Sequence, residues 1–351
     1  MRVIALEEHF LFEDLVDRIP VSARVARGFP PGRGPGPNQQ LGDVGAGRVE
    51  DMDRAGISMQ ILSCYGPGPD LLDGDEAVAL ARAINDRLAS AIAERPDRFG
   101  GFAQLPLRNG EDAAQEFRRA VEELGFCGAI VNGTTQDLFL DDRRFAPVLA
   151  MAEELDAPIY LHPHLPPETV RRAYFDELPG ATGAQLSGPG WGWHSETALH
   201  ILRMVLSGTF DRHPKLKMIV GHMGEGLPAM LMRCDQVFGG KPGHLSRLVS
   251  RTVLDHVSIT TSGLFTLPPL EIALAVFGVD RVMFSVDYPY APNQMGRQFL
   301  DALKLLQGDL EKICHGNAER LLHLGTAGEA DVSPLATRTV APSHLERCDH
   351  D

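Results

Sequence analysis

Eight short apolar runs, rich in β-branched residues, recur along the chain with helical patterns between most of them, and no other feature restricts the fold so tightly. The runs cover residues 3–6, 58–64, 100–105, 127–131, 159–161, 216–220, 257–261 and 282–286. Their apolar residues are nearly continuous, as expected of strands buried on both faces. Residues 77–94, 113–124, 145–155, 196–206 and 300–306 instead carry apolar side chains three and four apart, with charge on the other side. Such alternation predicts parallel βαβ units, and about eight of them close into a (β/α)8 TIM barrel. A doubly wound open sheet is the alternative.

A chain of 351 residues has room for two domains of about 150 residues, but a barrel commonly runs to about 250 or more as one unit. The barrel is assigned to residues 1–325, with an insertion over about 11–45. Two segments break the alternation: 27–37, dense in Gly and Pro, and Gly-rich 180–192. Both read as long loops roofing the C-terminal rim. Residues 326–351 read as a polar tail, expected to be disordered or to lie on a neighbouring subunit.

Charge excludes one class of partner. With 33 Lys plus Arg against 47 Asp plus Glu, the net charge is −14, which argues against nucleic-acid binding through a basic surface. No apolar run approaches the roughly 20 residues of a membrane span, and the N-terminal MRVIALEEHF is too acidic for a secretory signal, so a cytoplasmic location away from membranes is expected. Cys64, Cys127, Cys234, Cys314 and Cys348 form no CxxC pair, so neither a disulfide framework nor a zinc ribbon is indicated.

In such a barrel the chemistry sits where the strands end at their C-terminal side. The first strand ends in Glu7-Glu8-His9; side chains two apart share a face, so Glu7 and His9 point together and Glu8 points away. Replacing Glu8 is therefore expected to leave metal content unchanged. The fifth strand ends in His162-Pro163-His164, the sixth in Gly221-His222-Met223-Gly224-Glu225 and the eighth in Ser285-Val286-Asp287-Tyr288-Pro289. Imidazoles and carboxylates gathered at four strand ends are a ligand set for one divalent ion, zinc or manganese, and Glu7, His9, His162 and Asp287 are the expected ligands. A second ion bridged by a carboxylated lysine is not expected, because the first lysine is Lys215. His222 is then free for acid/base work or charge stabilisation, while Glu225 either orients it or caps the following helix. His164 either lines the pocket or points outward.

Glu7-x-His9, Leu161-His162-Pro163, Gly221-His222-Met223-Gly224-Glu225 and Ser285-Val286-Asp287-Tyr288-Pro289 together resemble the amidohydrolase-related decarboxylases, nearest to the γ-resorcylate and 2,3-dihydroxybenzoate enzymes. The resemblance spans about residues 1 to 325. It implies a mononuclear barrel with the ligands named above, His222 paired with Glu225 as the catalytic histidine, Arg233 near the substrate and sometimes reaching across a dimer, and assembly as a homodimer or homotetramer. Two departures stand out: His164 replaces an expected Arg or Asn, and the Trp191-Gly192-Trp193-His194 loop is bulkier than usual.

The expected reaction is loss of carbon dioxide from a hydroxylated aromatic or enol-type carboxylate, a small molecule that chelates the metal. Asp287 would donate the proton, His222 would steady charge on oxygen, and Arg233 or Arg48 would hold the anion. His164, Trp193 and Tyr290 are the other expected substrate contacts. Hydrolysis of an amide, lactone or related bond remains the alternative, since the same residues serve it.

Overall fold

The computed structural model describes residues 1–29, 38–239, 243 and 245–325. The part of the Gly/Pro-rich loop over 30–37 and the tail at 326–351 lie outside the described residues. Eight strands pair in chain order: β1 (Ile4–Phe10), β2 (Met59–Cys64), β3 (Phe99–Ala103), β4 (Gly128–Asn132), β5 (Ile159–His162), β6 (Met218–Val220), β7 (Val257–Thr260) and β8 (Val282–Met283). Every pairing is parallel. This sequential order is that of a (β/α)8 barrel and excludes a doubly wound sheet, whose strand order reverses. The seam between β8 and β1 is drawn together by the His9 N–H, which donates to Tyr288 O at 2.7 Å, and the Glu7 N–H, which donates to Ser285 Oγ at 2.6 Å.

Alternate residues of the strands serve two cores. Ile4, Leu6, Ile61, Phe102, Ile130, Tyr160, Ile219 and Met283 form one cluster. Ala5, Leu62, Ala103, Ala129, Val131, Val220 and Ile259 belong to a larger one shared with the surrounding helices. Period-two side chains make this division unavoidable in a closed sheet. The helix Gly110–Glu122 illustrates the outer layer: Asn109 accepts from the Glu111 and Asp112 N–H groups, and Ala113, Phe117 and Ala120 turn inward at helical spacing.

Three local expectations are corrected. β8 stops after two residues because the Phe284 N–H leaves the sheet for Ile313 O at 2.9 Å. The pattern over 300–306 belongs to a helix at Asn293–Ala302 that starts after Pro292; Leu306 is exposed and packs no core. The segment 180–192 is not loop throughout, since it contains a helix at Thr182–Ser187, and Gly192 opens the next helix, Gly192–Leu206.

Candidate metal centre

β1 delivers Glu7 and His9, the end of β5 delivers His162, and the segment after β8 delivers Asp287. One ligand atom from each lies within 4.8 Å of the others. His9 Nε2 stands 3.1 Å from Asp287 Oδ1, and His162 Nε2 stands 3.3 Å from Glu7 Oε1. Glu7 Oε1 and His9 Nε2 are buried without a hydrogen-bond partner. Leaving such atoms unpaired costs about 1–3 kcal/mol each. Two imidazoles and two carboxylates with orphaned atoms facing one point fit a single divalent ion.

Glu7 is held from behind. Tyr160 Oη and Ser262 Oγ both donate to its Oε2, which leaves Oε1 toward the cluster. Gly221 makes room for this arrangement: a Cβ there would stand 2.5 Å from Glu7 Oε2 and 3.2 Å from Tyr160 Oη. Burial pushes the Glu7 carboxyl up, but His222, His162 and His9 outweigh it and hold the group well below the usual carboxylate range. Asp287 is lowered the same way, by His222 and His9 against burial. Burial pushes His162 down, favouring the neutral imidazole a metal needs.

The His222 turn is a strained one. His222, Met223 and Glu225 have φ of 46°, 54° and 57°, between Gly224 and Gly226 at 80° and 82°. Non-glycine residues in this region cost of order 1–3 kcal/mol each and concentrate at functional sites. The turn brings Glu225 Oε1 within 2.8 Å of His222 Nδ1, while Oε2 sits 2.5 Å from His194 Nδ1. The Trp193 indole Nε1 lies 3.0 Å from His194 Nε2, which is also 3.1 Å from Pro189 O, so the ring is fixed from both sides with Nδ1 toward Glu225. Glu225 is not a helix cap, since Leu227–Phe238 has no side-chain cap. His222 Nε2 lies 3.7 Å from Asp287 Oδ2 and 3.9 Å from Glu7 Oε1. Burial opposes its protonation, but Glu225, Glu7 and Asp287 raise its pKa well above the ordinary value. The sequence placed His194 in a bulky loop expected to touch the substrate; its contact with Glu225 was not legible there.

Glu8 points away from the cluster but is not idle. Its buried carboxylate accepts from Ser285 Oγ at 3.1 Å, Val286 N at 2.8 Å, Tyr288 N at 3.2 Å and Gln60 Nε2 at 3.4 Å. These bonds replace the ladder that β8 abandons and grip the backbone on both sides of Asp287, so Glu8 holds the segment that presents Asp287. Burial pushes its carboxyl up, while the Val286 N–H, Ser285 Oγ, the Tyr288 N–H and Arg48 pull the other way; four donors aimed at its two oxygens fit the ionised form.

One expected substrate residue is corrected. Arg48 is fully buried and spends its donors on Asp43 O at 2.7 Å, His9 O at 2.6 Å, Gln40 O at 3.0 Å and Gln60 Oε1 at 3.4 Å, with its guanidinium 4.9 Å from the Tyr288 ring centroid. It braces the end of β1 and does not line the pocket. Arg233 is exposed, because its helix turns Leu231 and Cys234 inward, and it does not stand on the wall of the cavity over the cluster, so within one chain it does not reach that site.

A cavity of about 670 Å³ opens over the cluster. His162, His222 and Asp287 stand on its wall with Tyr65, Tyr290, Trp193, Phe29 and His164. Tyr65 and Phe29 escaped sequence reasoning because aromatic residues in loops carry no periodic signal.

Eight parallel strands whose C-terminal mouth gathers four side chains that could hold a metal ion define a barrel enzyme. The chain belongs to the amidohydrolase family, whose model matches residues 18–324. It is 39% identical over 336 residues to the γ-resorcylate decarboxylase of Rhodococcus jostii, covering 92% of this chain and 98% of that protein. Among solved structures it is similar to the dihydroxybenzoic acid decarboxylase of Polaromonas with bound manganese and the inhibitor 2-nitroresorcinol, with 37% identity, coverage of 92% and 97%, and a TM-score of 0.83. The 5-carboxyvanillate decarboxylase of Sphingomonas paucimobilis matches with 32% identity, coverage of 92% and 99%, and a TM-score of 0.84.

Proposed function

We propose that this protein is a metal-dependent, non-oxidative decarboxylase of a hydroxylated aromatic carboxylate. The supporting observation is the convergence of Glu7, His9, His162 and Asp287 beneath an aromatic-walled cavity, in a chain whose relatives of high coverage are decarboxylases. A divalent ion in this cluster supplies a Lewis acid that chelates the substrate carboxylate and its neighbouring hydroxyl. Manganese is the proposed ion, supported by the mixed carboxylate and imidazole set and by the manganese of the Polaromonas relative.

Tyr65, Tyr290 and Trp193 wall the ring and exclude water. Asp287 gives a proton to the ring carbon that bears the carboxylate; the carbon–carbon bond then breaks, its electron pair restores the aromatic ring, and carbon dioxide leaves. His222 Nε2 stands 3.7 Å from Asp287 Oδ2, a position from which it would load Asp287 with a proton before transfer. Glu225 keeps His222 oriented, and His194 keeps Glu225 oriented. Assembly as a homodimer or homotetramer is supported by Met230 and Met232, 53% and 65% exposed on the helix that carries Arg233. In that assembly Arg233 faces the substrate of a second copy.

The test is carbon dioxide release from 2,6-dihydroxybenzoate by the manganese-loaded protein, beside assays with amide and lactone substrates. Carbon dioxide release without hydrolysis is expected; hydrolysis alone overturns the reading.

A further inference from the structure

The cavity extends beyond the space a single ring needs. Ring contacts trace one wall: His9 to Tyr65 at 5.5 Å, Tyr65 to Phe29 at 5.4 Å, and Phe29 to His164 at 5.6 Å between centroids. Arg27 and Arg171 stand on the same lining as His164, and a second cavity of about 250 Å³ lies behind them, sharing Arg27, His164, Leu165 and Arg171 as a common partition.

The polar groups of that partition are unequally committed. Arg27 faces Asp70 Oδ2 at 3.7 Å and donates to the carbonyls of Asn132 and Thr134. Arg171 is tethered but not neutralised: Nε donates to Pro166 O at 3.1 Å and Nη2 to Ala26 O at 3.4 Å, and among the described residues it makes no ion pair. Asp176 also lines the cavity and is exposed to solvent. His164 is 8% exposed, and its buried Nδ1 has no hydrogen-bond partner. A buried nitrogen without a partner and an unpaired guanidinium on one cavity lining make an incomplete site for an oxyanion, because a carboxylate takes charge-assisted donors from arginine in a planar pair. A cavity of 670 Å³ falls in the range of about 300–1,000 Å³ that holds ligands larger than one substituted ring.

We propose that Arg171 and His164 form an anion subsite for a second acidic group, so that the preferred substrate is a hydroxylated aromatic acid carrying a further carboxylate on an arm remote from the one that leaves. The proposal rests on the decarboxylase reading and names its substrate class. In it the cluster end of the cavity takes the reacting carboxylate and hydroxyl, the aromatic wall takes the ring, and Arg171 takes the arm.

The test compares two probes with the manganese-loaded protein: 2,6-dihydroxybenzoate bearing a carboxyethyl arm at ring position 4, and the methyl ester of that arm. Wild type should favour the free acid over the ester by at least about tenfold in kcat/KM, mostly through KM, as expected for a charge-assisted contact. Arg171→Gln should bring that ratio close to one, and Arg171→Lys should keep part of it. A ratio near one in wild type, or an unchanged ratio in Arg171→Gln, overturns the subsite. If neither probe releases carbon dioxide, calorimetric binding of the two decides separately. An Arg171-dependent preference for the free acid then supports the subsite while the decarboxylase reading falls, and equal binding overturns the subsite as well.

Discussion

Glu8→Gln isolates the clamp behind the metal centre while conserving shape. Both carboxylate oxygens of Glu8 accept: Oε1 from Ser285 Oγ and Val286 N, Oε2 from Tyr288 N and Gln60 Nε2. A glutamine amide must turn its NH2 toward one of these pairs, setting donor against donor in a fully buried place. Two hydrogen bonds are lost and at least one backbone N–H is orphaned, for a destabilisation of about 2–4 kcal/mol, from roughly 1–3 kcal/mol for each unpaired group. Because the orphaned N–H belongs to Val286 or Tyr288, the damage falls on the backbone that presents Asp287, and manganese affinity should drop about 10- to 100-fold, as when the support of a ligand is removed. Urea unfolding of the metal-free protein and calorimetric titration with manganese read the two effects. A variant within about 0.5 kcal/mol of wild type in stability and with unchanged manganese affinity would refute the positioning role.

Asp287→Asn should preserve the barrel but lower turnover by at least about 10²-fold, since an amide cannot deliver the proton; near-normal rates with intact circular dichroism would remove Asp287 from that role. Gly221→Ala drives a methyl to 2.5 Å from Glu7 Oε2 and should cost about 1–3 kcal/mol of stability with weaker manganese binding; unaltered binding would show that Glu7 is not held where described. His200 Nε2 accepts from the Leu140 N–H at 2.7 Å, and burial pushes its pKa down to about 3. The fold keeps it neutral while the unfolded chain protonates it near 6.5, so its stabilisation is complete above that pH and lost as pH falls toward 3. The stability slope between pH 6 and pH 4.5 should therefore flatten in His200→Gln by about 1.4 kcal/mol per pH unit, and an identical slope in both proteins would contradict this assignment.

Much of the molecule was legible because its signals are local. Nearly continuous apolar runs mark strands buried on both faces, and the two-residue spacing of Glu7 and His9 places both on one face of β1. Misreadings arose where a long-range partner decides. Leu300 to Leu306 has helical spacing, yet Pro292 sets where the helix starts and Leu306 finds nothing to pack against. Arg48 read as a cation near an anionic substrate, but backbone carbonyls consume its donors.

Sequence alone determined the barrel and the metal-binding residue types at its rim, because a periodicity of two or of 3.6 and the identity of a strand's last residues are properties of neighbouring positions. Tertiary structure alone decided what the two adjacent carboxylates do on the faces that strand alternation assigns them. Ser262, Tyr160 and Gly221 close around Glu7 and leave one oxygen toward the cluster, while Ser285, Val286 and Tyr288, some 280 residues away along the chain, close around Glu8 and make it a brace.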